Sequence, residues 1–200
     1  MGRWSFLQVL KEEIRDKILQ IAAQEFLEKG FQSSSTREIA ARVNISKGNL
    51  YNYFSSKENL FNALLSAFYQ EFNSFLKQLW AHETGENFTL ENVEWMARTV
   101  AEFIQEHRQE FILIMDKSEG TKYAGFKKET ITMLQNHFEK NLKAIYKSRS
   151  GSETSIMQII ATNFLEALLS ISKNCLNNDQ VIDNLELYLK YHIQGVTQFY

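Results

Sequence analysis

Between Ser34 and Leu60 the chain reads SSTREIAARVNISKGNLYNYFSSKENL, and its apolar spacing fits two short helices crossing at a tight turn. Ile39, Val43, Ile45 and Leu50 supply the shared core. Ala40 stands where a larger side chain would push the two helices apart. Asn44 falls at the turn, where the backbone needs positive φ, a conformation Asn tolerates second only to Gly. Ser46 is placed to cap the second short helix. That helix then carries Lys47, Gly48, Asn49, Tyr51, Asn52 and Tyr53, a set too polar and too aromatic for a core and well suited to phosphates and base edges.

The rest of the chain extends the helical reading. It has no proline and eight glycines, and apolar residues recur with helical period. The chain is therefore expected to be all α. A first helix is expected over about 12–29, with Ile14, Ile18, Ile21, Ala22 and Phe26 on one stripe and Gly30 as its stop. A capping box at Ser35 and Glu38 should open the second. A long fourth helix should run from Ser55 or Ser56 to about Trp80 on Leu60, Leu64, Phe68, Phe72, Phe75 and Leu79. Further helices are expected over about 89–106, 109–117, 122–148, 154–173 and 179–199. Breaks fall at HETGEN (82–87), SEGT (118–121), SRSGSE (148–153) and NCLNN (174–178).

Composition narrows the class. Apolar residues make up 44% and charged residues 23%, the balance of a globular protein. No apolar run reaches the roughly 18–20 residues that span a bilayer, and the N-terminus lacks a signal-peptide pattern, so a cytoplasmic protein without membrane contact is expected. A lone cysteine, Cys175, excludes an intrachain disulfide. The net charge is −2 but unevenly spread. Residues 1–65 hold nine basic and seven acidic side chains, whereas the remainder is acidic overall. Arg37, Arg42, Lys47 and Lys57 against Glu38 concentrate positive charge where a polyanion would lie. No nucleophile–base pair, histidine cluster or glycine-rich phosphate loop points to an enzyme, a metal or a cofactor.

These residues also carry a resemblance. The pattern Ile18-Leu19, Ala22, Phe26, Gly30-Phe31, then Thr36-Arg37-Glu38-Ile39-Ala40, then Ile45-Ser46-Lys47-Gly48-Asn49-Leu50-Tyr51-Asn52-Tyr53-Phe54 and Ser56-Lys57-Glu58 with Leu60 resembles the DNA-binding domain of TetR-family transcriptional regulators. Asn44 replaces the family's usual Gly, and Asn49 its usual Thr. The run ILIMDKSEGTKYAGF (112–126) is similar to the junction between the sixth and seventh helices of such regulators. The resemblance implies a DNA-binding domain over 10–65, with the helix-turn-helix at about 35–54. The long fourth helix would join it to an effector-binding and dimerisation domain over 66–200.

On this reading Lys47 pairs with a phosphate or a guanine edge, and Gly48 allows close approach to the duplex. Asn49 and Asn52 offer paired donors and acceptors to adenine. Tyr51 and Tyr53 reach phosphates, Arg37 and Lys57 clamp them from the flanking helices, and Ser34, Thr36 and Ser46 add hydroxyl or cap contacts. One short helix reads too few base pairs for genomic addressing, so a homodimer on a palindromic double-stranded operator is expected. Its interface would use Ile156, Ile160, Phe164, Leu168, Leu185, Tyr188, Leu189, Ile193 and Val196. Phe103, Phe111, Met115, Tyr123, Phe126 and Phe164 are candidate walls for an aromatic or lipophilic effector that releases the DNA by tilting the fourth helix. The alternative keeps the DNA contact but drops the effector, leaving a chromosome-bound factor that recruits a protein partner.

Overall fold

A computed structural model describes residues 3–82, 90–143, 153–175 and 177–198. Among these residues there are nine helices and no strand: α1 (Arg3–Ser33), α2 (Thr36–Val43), α3 (Lys47–Tyr53), α4 (Lys57–His82), α5 (Leu90–Glu106), α6 (Arg108–Asp116), α7 (Phe126–Lys143), α8 (Glu153–Asn174) and α9 (Asn178–Gln198). The all-α expectation holds. The breaks expected after His82 and at 148–152 lie outside the described residues.

Two compact units emerge. The first joins Met1–Glu71 with the distant segment Leu113–Ala124; the second joins Phe72–Ile112 with Gly125–Tyr200. In the first, Ile18, Ala22, Phe26, Ile39, Leu50, Leu60, Phe61 and Leu65 are wholly buried. Phe61 anchors the centre, its ring edge-on to Phe26 at 5.0 Å and to Phe31 at 5.2 Å. Ala40 is buried, as the close crossing of α2 and α3 requires.

Helix ends follow local chemistry where that chemistry is local. Gly30, at φ 73° and ψ 166°, breaks the helical path of α1 three residues before Ser33, in keeping with its expected role as a stop. Asn44 takes the left-handed conformation (φ 67°, ψ 45°) and its N–H closes α2 onto the Ala40 and Ala41 carbonyls. The Ser46 hydroxyl accepts the Asn49 N–H at 3.1 Å and caps α3. The N-terminus of α1, in contrast, reaches back to Arg3 rather than Glu12, since no Pro or Gly interrupts 3–12.

The expected capping box at α2 does not form: the Ser35 side chain makes no cap bond. A network from α1 replaces it. Glu25, almost fully buried, accepts the Ser35 N–H at 3.3 Å and pairs with Lys29 at 3.0 Å and Arg42 at 3.6 Å. Lys29 also binds Glu38, which draws that carboxylate away from the helix end, and Arg42 reaches Gln24 at 2.6 Å. The helix expected to start at Lys122 starts instead at Phe126. The Thr121 hydroxyl bonds the Ser118 carbonyl at 2.7 Å and the Tyr123 N–H at 3.0 Å, holding a turn that competes with helix.

The turn between α1 and α2 is fixed by Lys57. Its ammonium donates to the carbonyls of Phe31 (2.7 Å), Gln32 (3.2 Å) and Ser34 (3.1 Å) and lies 4.6 Å from the centre of the Phe31 ring. Partial burial lowers its pKa, while three carbonyl dipoles favour the charged form.

In the second unit α5 packs against α9, α7 against α8, and α8 against α9. Val93, Ala97, Ala101, Ile104, Phe111, Leu165, Leu169, Val181 and Leu185 form much of its interior. Arg108 ends α8 by donating to the Ser172 and Cys175 carbonyls at 2.7 and 2.6 Å. Phe103 stacks on Phe75 at 4.0 Å. A second aromatic cluster encloses His192, with Phe164 at 4.5 Å, Phe138 at 5.8 Å and Tyr188 at 5.9 Å. Its buried Nε2 has no hydrogen-bond partner, and burial lowers its pKa from 6.5 to about 4.

Two predictions follow from these contacts. Lys57→Met should lower unfolding stability by about 1–2 kcal/mol in urea titration, since three carbonyls lose a charged donor. His192 is neutral when folded and protonates first in the unfolded chain, so its contribution is intact above pH 6.5 and fades as pH falls toward 4. Relative to His192→Phe, the native chain should lose about 2–3 kcal/mol over that window. Parallel stability–pH curves would contradict the assignment.

Candidate nucleic-acid interface

Helix α3 buries Leu50 and turns Ser46, Lys47, Gly48, Tyr51 and Asn52 outward, with Asn49 and Tyr53 half-buried. Positions 47, 48, 51 and 52 share one face by helical spacing. Leu50 locks that face by packing into the α1–α2 core. The Lys47 ammonium sits 5.7 Å above the Tyr51 ring, a cation–π distance that orients both side chains. The Tyr51 hydroxyl lies 3.4 Å from that of Thr36, linking the first residue of α2 to the outward face of α3.

Gly48 is informative because of what surrounds it. A Cβ there would meet only the Ser46 Oγ, at 3.9 Å, so nothing inside the described residues needs a glycine. A helical Gly costs roughly 1 kcal/mol relative to Ala. The bare backbone at this position leaves room for close approach from outside.

The remaining candidates divide. Arg37 is exposed in the first turn of α2 and makes no ion pair among the described residues. Thr36 is nearly buried, its hydroxyl directed at Tyr51. Ser34 is buried and donates to the Phe31 carbonyl at 2.7 Å, so it shapes the turn instead of presenting a free hydroxyl. Lys57, expected to clamp a phosphate, has its ammonium on three carbonyls. The sequence could not reveal this, because those acceptors lie more than twenty residues upstream. Arg42 is tied to α1 through Gln24 and Glu25, which removes it from the free positive charge. Glu25, absent from the expected set, positions α2 through Ser35 and Arg42. A buried acid on an otherwise apolar helix stripe was its one sequence signal.

The six candidate effector walls are divided between the two units. Met115 and Tyr123 belong to the first unit, where Tyr123 packs against Phe61 and Tyr69. In the second unit Phe103 and Phe126 both meet Phe72, Phe111 is fully buried, and Phe164 joins the His192 cluster. The interface candidates also separate. Leu168, Leu185 and Leu189 are buried within the chain's own core, which corrects their assignment to a surface. Ile160, Phe164, Tyr188 and Ile193 are half-buried, and Ile156 is exposed. The Val196 side chain lies outside the described residues. Ile159, Leu187 and Tyr191 are exposed large apolar residues on the same two helices that the candidate set omitted.

Comparison with known proteins agrees with this geometry. The family described as "Bacterial regulatory proteins, tetR family" matches residues 18–64. The chain is 43% identical over 53 residues to the HTH-type transcriptional regulator QacR of Staphylococcus aureus, covering 26% of this chain and 28% of that protein. It is 25% identical over 192 residues to the HTH-type transcriptional activator FasR of Mycolicibacterium smegmatis, covering 94% and 82% respectively. A TetR family regulator from Chloroflexus aurantiacus shares the fold, with a TM-score of 0.59 at 15% identity over 93% of this chain and 91% of that one. The match to QacR spans less than a third of that protein's length. Residues 18–64 thus match the tetR family of bacterial regulatory proteins, and the nine helices of the described residues share the fold of a TetR family regulator.

Proposed function

We propose that the chain is a sequence-specific DNA-binding repressor that acts as a homodimer on a palindromic operator and is released by a small-molecule effector. The observation that carries the DNA contact is the outward face of α3. Lys47, Gly48, Tyr51 and Asn52 lie together on a helix whose opposite side is anchored by Leu50. Lys47 supplies charge for a phosphate or a guanine edge. Asn52 offers a donor–acceptor pair for adenine, and Tyr51 a phenolic hydroxyl on a ring that can lie along the sugar–phosphate rail. Asn49 and Tyr53 flank the face, and Arg37 adds a phosphate contact from the start of α2.

Dimerisation is supported by large apolar residues left in water on α8 and α9: Ile156, Ile159, Leu187 and Tyr191. Two copies facing each other through these helices would cover them. Reading two half-sites then requires the two α3 helices to lie about one helical turn apart, roughly 34–36 Å. An effector would act from the second unit, where aromatic side chains from α4, α5, α7, α8 and α9 offer apolar and stacking surface. A coupling of about 1–3 kcal/mol is enough to change operator occupancy several-fold or more.

Gly48→Ala tests the reading because fold and function should respond in opposite directions. With space for the methyl group and better helix propensity, the variant should be as stable as the native chain or up to about 1 kcal/mol more so. Its affinity for an inverted repeat selected by the native protein should fall at least about tenfold, because the methyl group blocks close approach. Unchanged affinity, measured by fluorescence anisotropy against random competitor, would remove α3 from the interface.

A further inference from the structure

The turn leading from α1 into α2 is gripped from two directions. Lys57 holds the carbonyls of Phe31, Gln32 and Ser34. On the other side stands the segment 113–124, which folds with the first unit although the chain on both its flanks belongs to the second. The Phe31 N–H, directly after the break at Gly30, donates to the Lys117 carbonyl at 2.9 Å. Gly120 has φ +83°, and a Cβ there would lie 3.1 Å from Cγ and Nε2 of Gln32. The segment keeps its own shape through the buried Ser118 hydroxyl, 2.8 Å from the Ile114 carbonyl and 3.2 Å from that of Tyr123. The Tyr123 ring packs on Tyr69 at 5.7 Å and Phe61 at 6.5 Å.

We infer that residues 113–124 position the DNA-reading helices by clasping this turn through Lys117 and Gly120, so that a shift of the segment is passed to α2 and α3. The inference rests on the DNA-reading role of α3 given above. The path is short and made of direct contacts. Phe31 and Gln32 meet the segment, Ser34 closes the turn on the Gly30 carbonyl at 3.2 Å, the Ser35 carbonyl takes the Ile39 N–H at 3.0 Å at the start of α2, and Thr36 touches the Tyr51 hydroxyl. Gln32 and Gly120 are thus positioning residues: neither lies on the outward face of α3, yet both determine where that face sits. Transmission by this route does not need α4 to tilt.

The contact can be locked or forced apart in one protein. In a disulfide each Cβ lies about 3 Å from the partner's sulfur, matching the 3.1 Å between a Cβ at 120 and Gln32 Cγ, where a cysteine sulfur would sit. Gln32→Cys with Gly120→Cys, in a Cys175→Ser background, should therefore form an intramolecular disulfide. Oxidised, the clasp is closed; reduced, two unbonded sulfurs must separate and push the segment off the turn. The strain of a cysteine at φ +83° is common to both states, so the oxidised form should bind the native protein's selected inverted repeat at least about fivefold more tightly than the reduced form, which should show faster amide exchange in α2 and α3. Equal affinities in the two states, or failure of the disulfide to form, would overturn the inference. Gln32→Ala leaves Gly120 and the core intact and provides an independent reading. It should weaken binding about threefold with little change in melting temperature, and unchanged affinity would count against the clasp. If the native protein selects no sequence at all, the DNA-reading role fails first and the clasp loses its purpose with it.

Discussion

One ammonium group fixes the turn that leads into the helix-turn-helix. Lys57 reaches back from the first turn of α4 to three carbonyls at the end of α1, where Gly30 has already turned the backbone out of the helix. Helix ends leave carbonyls without partners, and a single charged donor here satisfies three at once. The same turn sets the direction in which α2 departs, and α2 carries α3. Glu25 secures the next step by taking the Ser35 N–H and pairing with Arg42. Lys57 and Glu25 thus spend their charge on the geometry of α2 and α3.

This division explains which charges remain for DNA. Of the four basic residues between Phe31 and Lys57, two are committed to structure, leaving Arg37 and Lys47 exposed beside a half-polar, half-aromatic face. Specific recognition by so few cations depends on close approach and on base-edge contacts more than on bulk electrostatic attraction. Gly48 fits that requirement: it leaves the backbone of α3 bare where nothing within the described residues asks for it.

Much of this was legible in the sequence, for a physical reason. Gly30, Asn44 and Ser46 act through their own backbone or the next few residues, so local spacing is enough to assign them. The capping box failed because Glu38 found Lys29, a partner on another helix. Lys57 was misread for the same reason, its acceptors being remote in sequence. The recruitment of 113–124 into the first unit leaves no trace in local periodicity. In α8 and α9, apolar stripes wider than a surface helix needs were visible. Periodicity alone does not separate the part facing the chain's own core, such as Leu168, Leu185 and Leu189, from the part left in water, such as Leu187 and Tyr191.

In the proposed complex two copies of α3 enter successive major grooves on one side of a duplex. Dimethyl sulfate methylates guanine N7, which faces the major groove, so protection from it reports that entry directly. On a selected operator two protected patches related by the dyad should appear, their centres about one helical turn apart, with the minor-groove positions between them still reactive. A single patch, or protection confined to the minor groove, would contradict it.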